Sequence, residues 1–154
     1  MSANEDSVGW EPMAIALCCL AVILALVVGV GLASNLVLRH LVQTLPLWFG
    51  VASGFRRGRP TGWIALPFFL FWLALMVVIW LYLLGIARMI SGHFSAVETA
   101  MTLIVGVASL IGIVLFTRFK SFLSPTKATA LFVAMALLQL GCFRVSFLPA
   151  IAHR

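Results

Sequence analysis

The stretch from Pro60 to Ala87, PTGWIALPFFLFWLALMVVIWLYLLGIA, contains no charged residue, and Arg59 and Arg88 flank it directly. A helix of about 20 mostly apolar residues crosses the hydrocarbon core of a bilayer, which is about 30 Å thick. This stretch is longer, so its helix is expected to tilt or to extend into the headgroup layer. It predicts a membrane-spanning helix over about 63–89.

The composition of the whole chain agrees with this prediction. Hydrophobic residues make up 64% of the 154 residues and charged residues only 9%, whereas a soluble domain carries about 25% charged residues. The net charge of +6 comes from short basic clusters between apolar segments, a pattern that orients membrane proteins and does not indicate nucleic-acid binding. We therefore expect a single transmembrane domain over 1–154 and no nucleic-acid partner.

Three more apolar segments lie around the central one, over about 12–38, 97–117 and 126–149. They predict an all-α membrane protein with four transmembrane helices in an up-down bundle. Leu41, Leu45 and Trp48 fall at helical spacing in the first connection, where polar residues are interspersed. This pattern predicts a short interfacial helix over about 45–53, lying at the membrane surface.

Lysine and arginine are unevenly shared between the two sides of such a bundle. Seven of them belong to the first and third connections and three to the opposite side. The positive-inside rule then predicts that both termini lie outside the cell membrane and that the first and third connections are cytoplasmic. The seven residues are Arg39, Arg56, Arg57, Arg59, Arg118, Lys120 and Lys127.

Small residues follow one face of the first span at spacings of three and four. Small side chains at such spacings let two helix backbones approach closely in a membrane. We expect a helix-packing seam here, although Ala and Gly are also common in spans that form no seam. The face consists of Cys18, Ala21, Ala25, Gly29 and Ala33.

The densest charge of the chain follows the expected interfacial helix, where Arg56, Arg57 and Arg59 occur within four residues. Clusters of this kind beside a span attract anionic lipid headgroups in the cytoplasmic leaflet. The predicted ligands are therefore anionic lipids, or an acidic partner. The alternative is that these arginines only orient the chain.

A small and polar stripe marks the third span, where Glu98, Thr102, Ser109 and Gly112 share a face. Such a stripe either lines a wet path or forms a closely packed seam. Packing is favoured because hydroxyl groups in a span can bond to their own helix.

Arg144 lies inside the fourth span, where a charge costs about 2.5–3.5 kcal/mol at the centre of the bilayer. Glu98 is expected at a similar depth if the two spans are antiparallel. The sequence thus predicts an intramembrane ion pair between Glu98 and Arg144. The alternative is that Arg144 extends towards the headgroups.

Two adjacent thiols occur in the segment ALCCLA, as Cys18 and Cys19. In this pair the chain resembles the bacterial mercuric-ion uptake proteins, which carry Cys-Cys in their first helix. The Gly-Pro that follows the pair in that family is missing here, and so is a second thiol pair. We interpret Cys18, Cys19 and Cys142 as buried small side chains, and predict no metal site and no cofactor.

Catalysis is not predicted, because Glu98 is the only carboxylate side chain outside the acidic N-terminal segment and acid–base chemistry needs converging titratable groups. The expected function is that of a non-catalytic accessory, assembly or scaffold subunit. It would pack against helices of other membrane protein subunits or of its own copies, and against anionic lipid. The alternative is a small homo-oligomeric transporter or channel with the polar stripe along its path.

Overall fold

The computed structural model describes residues 9–86, 94–119 and 123–152, and in these ranges all regular elements are helices. Four of the helices are long and apolar enough to cross a membrane. They confirm the predicted all-α fold with four spanning helices, and the protein is an integral membrane protein. The helices are α1 Glu11–Ala33, α2 Val37–Thr44, α3 Leu47–Phe55, α4 Thr61–Leu83, α5 Ala96–Arg118, α6 Pro125–Val145 and α7 Pro149–Ala152.

Helix α1 ends at Ala33, five residues before the predicted end of the first span at 38. Asn35 adopts a left-handed conformation with φ of 55°, which Asn tolerates better than most residues. The amide of Leu36 then donates to Gly31 O at 2.9 Å and that of Asn35 to Leu32 O at 3.4 Å. These two bonds form a Schellman motif, which terminates the helix, so the helix is shorter than the predicted span.

The core lies where α4 meets α1, α3 and α5. Phe68, Phe69 and Trp72 of α4 are its largest fully buried side chains, and Ile15 and Val22 of α1 pack into the same cluster. Aromatic side chains bury large areas, so this part of α4 holds the three neighbouring helices together.

Helices α1 and α4 run in the same direction. Helix α5 is antiparallel to α4, because Gly112 contacts the ring of Phe69 while Gly106 lies opposite Met76. Helix α5 is also antiparallel to α1, because Gly29, in a π-helical turn over Ala25–Val30, packs against Met101 while Cys18 and Ile111 line a common groove. Both α1 and α4 therefore begin at the end of the bundle where α5 finishes.

We call this end of the bundle the basic end, because five exposed cations of the described residues belong to it, while Lys120 lies outside the described residues. They lie in the connection between α3 and α4, at the end of α5 and at the start of α6. They are Arg56, Arg57, Arg59, Arg118 and Lys127.

Helices α2 and α3 run back along α1 towards the basic end. Gly31 of α1 faces Val37 at the start of α2, and a Cβ on Gly50 of α3 would lie 2.9 Å from Cys19 Sγ. Gly54, near the end of α3, lies against Pro12 O. The helix expected over 45–53 is thus present as α3, but its course follows the first half of α1 and does not cross the end of the bundle.

The start of α1 lies at the basic end, whereas the end of α6 lies beside α2. Arg39 of α2 stacks over the ring of Phe147, just after α6, at 4.0 Å. The start of α1 and the end of α6 therefore lie at opposite ends of the bundle. The side of the membrane on which each terminus lies stays a prediction.

Candidate functional site

A cluster of buried polar side chains occupies the contact between α2 and the last part of α6. Thr44, Gln139 and Ser146 have no exposed surface, and Gln43 is only 4% exposed. Four buried polar groups so close together are unusual in an apolar chain, because each must find a hydrogen-bond partner away from water. We call Gln43, Thr44, Gln139 and Ser146 the polar cluster.

Two side-chain hydrogen bonds of the polar cluster join α2 to the end of α6. Gln43 Nε2 donates to Ser146 Oγ at 3.0 Å, and Gln139 Nε2 donates to the backbone oxygen of Gln43 at 3.1 Å. Ser146 Oγ in turn donates to Phe143 O at 2.6 Å. The cluster consists of amides and hydroxyls, so its chemistry is that of polar contact between helices and not of proton transfer.

The break between α2 and α3 explains why the cluster lies there. Pro46 has no N–H to offer to Val42 O, and the amide of Leu45 bonds to Val42 O instead, at 3.4 Å. Thr44 Oγ1 donates to His40 O at 2.9 Å and lies 3.2 Å from Leu41 O. The Thr44 side chain thus donates hydrogen bonds to backbone oxygens next to the break.

Two polar atoms at the contact between α2 and the end of α6 lack a hydrogen-bond partner within the described part of the chain. They are Gln139 Oε1 and Arg39 Nε. Since a buried acceptor without a donor costs about 1–3 kcal/mol, Gln139 Oε1 is the one atom of the polar cluster that would gain from a further donor such as water.

Glu98 and Arg144 are not brought together. The Glu98 carboxylate accepts a hydrogen bond from the backbone amide of Ser95 at 2.8 Å, and Ser95 Oγ accepts one from the Glu98 amide at 3.2 Å. This capping box closes the start of α5. The Arg144 side chain is exposed on α6, so the predicted ion pair is replaced by a helix cap.

The stripe on α5 faces α4. Gly112 leaves no room for a side chain because the Phe69 ring lies against it. Thr102 donates to the backbone oxygen of Thr99 at 2.7 Å, and Ser109 is fully buried. These contacts support a packed seam as the interpretation of Thr102, Ser109 and Gly112.

The small residues of α1 divide between three surroundings. Ala25 and Gly29 pack in the core and against α5, while Ala33 is exposed at the end of the helix. Cys18 and Ala21 lie on the floor of an apolar groove of about 440 Å³ between α1 and α5. We call this the α1–α5 groove; its other lining residues are Leu17, Leu103, Ile104, Val107, Ala108 and Ile111.

Arg56, Arg57 and Arg59 are exposed at the basic end. Arg57 has a left-handed backbone with φ of 51°, and it terminates α3 through bonds from its own amide to Gly54 O at 2.9 Å and from Gly58 to Ser53 O at 2.8 Å. The short turn that follows brings Ser53 and Thr61 into a hydrogen bond of 2.8 Å. The geometry holds Arg56, Arg57 and Arg59 in one tight connection.

The cysteines occupy separate surroundings. Cys19 is buried in the core, Cys18 lies in the groove and Cys142 is half-buried on α6. Over residues 9–86, 94–119 and 123–152, no group of three or more metal-ligating side chains occurs.

The polar cluster was not predicted as a unit, although its sequence signal exists. His40, Gln43 and Thr44 follow the spacing of one helical face, opposite Leu38 and Leu41. Their partner on α6 is distant in sequence, so only the fold reveals the contact.

Comparison of the chain with known proteins gives no match to a family model, to a curated protein or to a solved structure.

Proposed function

We propose that the protein is a non-catalytic accessory or assembly subunit that packs against a transmembrane helix of another membrane protein. The observation that carries this proposal is the α1–α5 groove. It is apolar and open towards the lipid side of the bundle, and its floor is made of small side chains.

The groove suits a helix because small residues allow close approach of two backbones, and van der Waals packing is a main source of helix association in lipid. Cys18, Ala21 and Ala108 form the low floor, while Leu103 and Ile111 are among the larger side chains that border it. The partner is expected to present an apolar helix face with larger side chains.

The basic end adds a second contact, with anionic lipid headgroups. Its exposed cations come from three separate parts of the chain, which together make a broad positive surface. Juxtamembrane cations contribute about 1 kcal/mol each near an anionic bilayer. By the positive-inside rule, the basic end faces the cytoplasm of a cell membrane.

A second candidate function is a small homo-oligomeric transporter or channel. The observation that favours it is the interrupted helix pair α2–α3 with its buried polar cluster, because transporters often bind their substrates beside broken helices. The first candidate is favoured here because most polar groups of the cluster bond to one another or to the backbone at the break.

The test is to extract the tagged chain from its native membrane in a mild detergent, and to analyse the complex by size-exclusion chromatography and mass spectrometry. We expect a larger membrane protein at fixed stoichiometry. Ala21→Leu, which fills the groove, should release that protein, whereas Ala74→Leu on an exposed face of α4 should retain it.

A homo-oligomer without another protein would reject the accessory role and favour the transporter or channel. Flux through vesicles that contain the purified protein would then be measured. Retention of the partner by both variants would show that the groove is not the docking surface.

A further inference from the structure

We infer that residues 37–55 form a fifth membrane crossing, a broken one, whose outer face contacts lipid acyl chains. This crossing places the N-terminus in the cytoplasm and the C-terminus outside. It does not depend on the proposed function.

The directions of α1 and α4 require a crossing between them. Both helices begin at the basic end, because each is antiparallel to α5. Helix α1 therefore ends at the opposite side of the bilayer, and the chain must return before α4 begins at Thr61. Residues 34–60 are the only part of the chain between these two helices, so they contain the return.

The return is long enough and runs along the bundle. Its 19 residues from Val37 to Phe55 correspond to about 28 Å of helix at 1.5 Å per residue, close to the thickness of the hydrocarbon core. Its beginning faces Gly31 and its end lies against Pro12, so it accompanies almost the whole of α1. A helix at the membrane surface would touch only one end of α1.

The polarity of this segment is that of a membrane crossing. The polar side chains His40, Gln43 and Thr44 are buried against the bundle, whereas a helix at the headgroups would direct them to water. The charged Arg39 lies near the start of the segment and stacks on Phe147. The outer face is apolar and aromatic. Its large exposed side chains are Leu38, Leu41, Leu45, Trp48, Phe49 and Phe55.

The break is also compatible with lipid, in which backbone polar groups must be satisfied internally. Near Pro46 the amides of Trp48 and Phe49 bond three residues back, at 3.2 and 3.1 Å. The Gln43 carbonyl accepts from Gln139 Nε2 of α6. The polar cluster thus provides the partners that a proline break inside a bilayer needs.

The charge pattern agrees with a cytoplasmic N-terminus. The residues before α1 contain Glu and Asp but no Lys or Arg, and acidic residues contribute little to orientation. The cations of the basic end orient the bundle, and the start of α1 lies at that same end.

The experiment is thiol accessibility in the full chain with Cys18, Cys19 and Cys142 changed to Ala. Cells that express one single-cysteine variant each are treated with a membrane-impermeant maleimide, either intact or permeabilised. The variants are Ser2→Cys, Ser124→Cys and Ala150→Cys. We expect Ala150→Cys to react in intact cells, and Ser2→Cys and Ser124→Cys only after permeabilisation. Reaction of both Ser2→Cys and Ala150→Cys in intact cells would overturn the fifth crossing.

Protease treatment of the natural chain covers the case in which the cysteine-free chain fails to fold, and a spin label in the folded cysteine-free chain tests the position of α3. Protease removal of an N-terminal tag from the natural chain should require permeabilised cells, and removal in intact cells would contradict the proposal. In reconstituted vesicles, a spin label at Phe49→Cys should match the oxygen accessibility of one at Leu70→Cys on α4. If the label at Phe49→Cys is as accessible to a water-soluble relaxation agent as a label at Ser124→Cys, α3 lies at the surface and the crossing is rejected.

Discussion

At the scale of single residues, the closeness of α4 and α5 depends on the missing side chain of Gly112. The Phe69 ring occupies the space that a Cβ would need, whereas Gly141 on α6 has no atom within 4 Å of that position. The same substitution is therefore expected to have opposite effects at the two sites, although both glycines lie within long helices.

Gly112→Ala should destabilise the bundle by about 1–3 kcal/mol, because an extra methyl group in a packed core forces its neighbours apart. Gly141→Ala should be neutral or stabilising by up to about 1 kcal/mol, because Ala is the better helix former. The free energy of unfolding in mixed micelles measures both. Equal effects of the two substitutions would contradict the packed seam.

At the scale of elements, the start of α5 is stabilised by its own side chains and not by another helix. The capping box of Ser95 and Glu98 satisfies the backbone amides of both residues. Arg144 is exposed on α6, so Glu98 does not need it.

Ser95→Ala should destabilise the protein by about 1 kcal/mol, the usual cost of losing an N-cap. Arg144→Ala should have a much smaller effect, and the double variant Glu98→Ala with Arg144→Ala should show the sum of the single effects. Chemical denaturation of the purified variants tests this. A coupling between Glu98 and Arg144 above 0.5 kcal/mol, a threshold set by the accuracy of additivity, would restore the ion pair.

The attachment of α2 to the end of α6 is a second property of elements. The hydrogen bond between Gln43 and Ser146 is buried, and such bonds between membrane helices contribute about 0.6 kcal/mol on average and at most about 1.7 kcal/mol. A double-mutant cycle with Gln43→Ala and Ser146→Ala should give a coupling in this range. The control cycle of Gln43→Ala with Ser109→Ala, on α5, should be additive.

At the scale of the whole molecule, the distribution of charge distinguishes the two ends of the bundle. The basic end combines exposed cations from the connection after α3, from α5 and from α6. Arg144 is also exposed, but it lies on the last part of α6, towards the opposite end. The proposed contact with anionic headgroups should therefore depend on where an arginine lies and not on the total charge.

Phosphatidylglycerol added to the purified protein in neutral detergent should raise its melting temperature, and 0.5 M salt should weaken this effect because salt screens exposed charges. The triple variant Arg56→Gln, Arg57→Gln and Arg59→Gln should lose most of the stabilisation. Arg144→Gln should keep it. Equal stabilisation of the triple variant and the natural chain would reject a headgroup site in this connection.

Local patterns were sufficient to predict the long helices and the basic clusters. Each span is a continuous apolar segment such as 60–87, and its hydropathy is a property of neighbouring residues. The seam of Thr102, Ser109 and Gly112 could also be anticipated, since their spacing places them on one helical face. The end of α1 was missed because Asn35 stops a helix through its backbone conformation, within a segment that remains apolar.

The sequence alone therefore specified a membrane-embedded, all-helical chain, because a span forms from the hydropathy of adjacent residues. The course of residues 37–55 was decided by tertiary contacts, such as those of Gly54 with Pro12 and of Gln43 with Gln139. Hydropathy averages the polar and apolar faces of a broken helix and so cannot show which face is buried. The proposed side of the N-terminus rests on the course of these residues, so it could not be inferred from hydropathy.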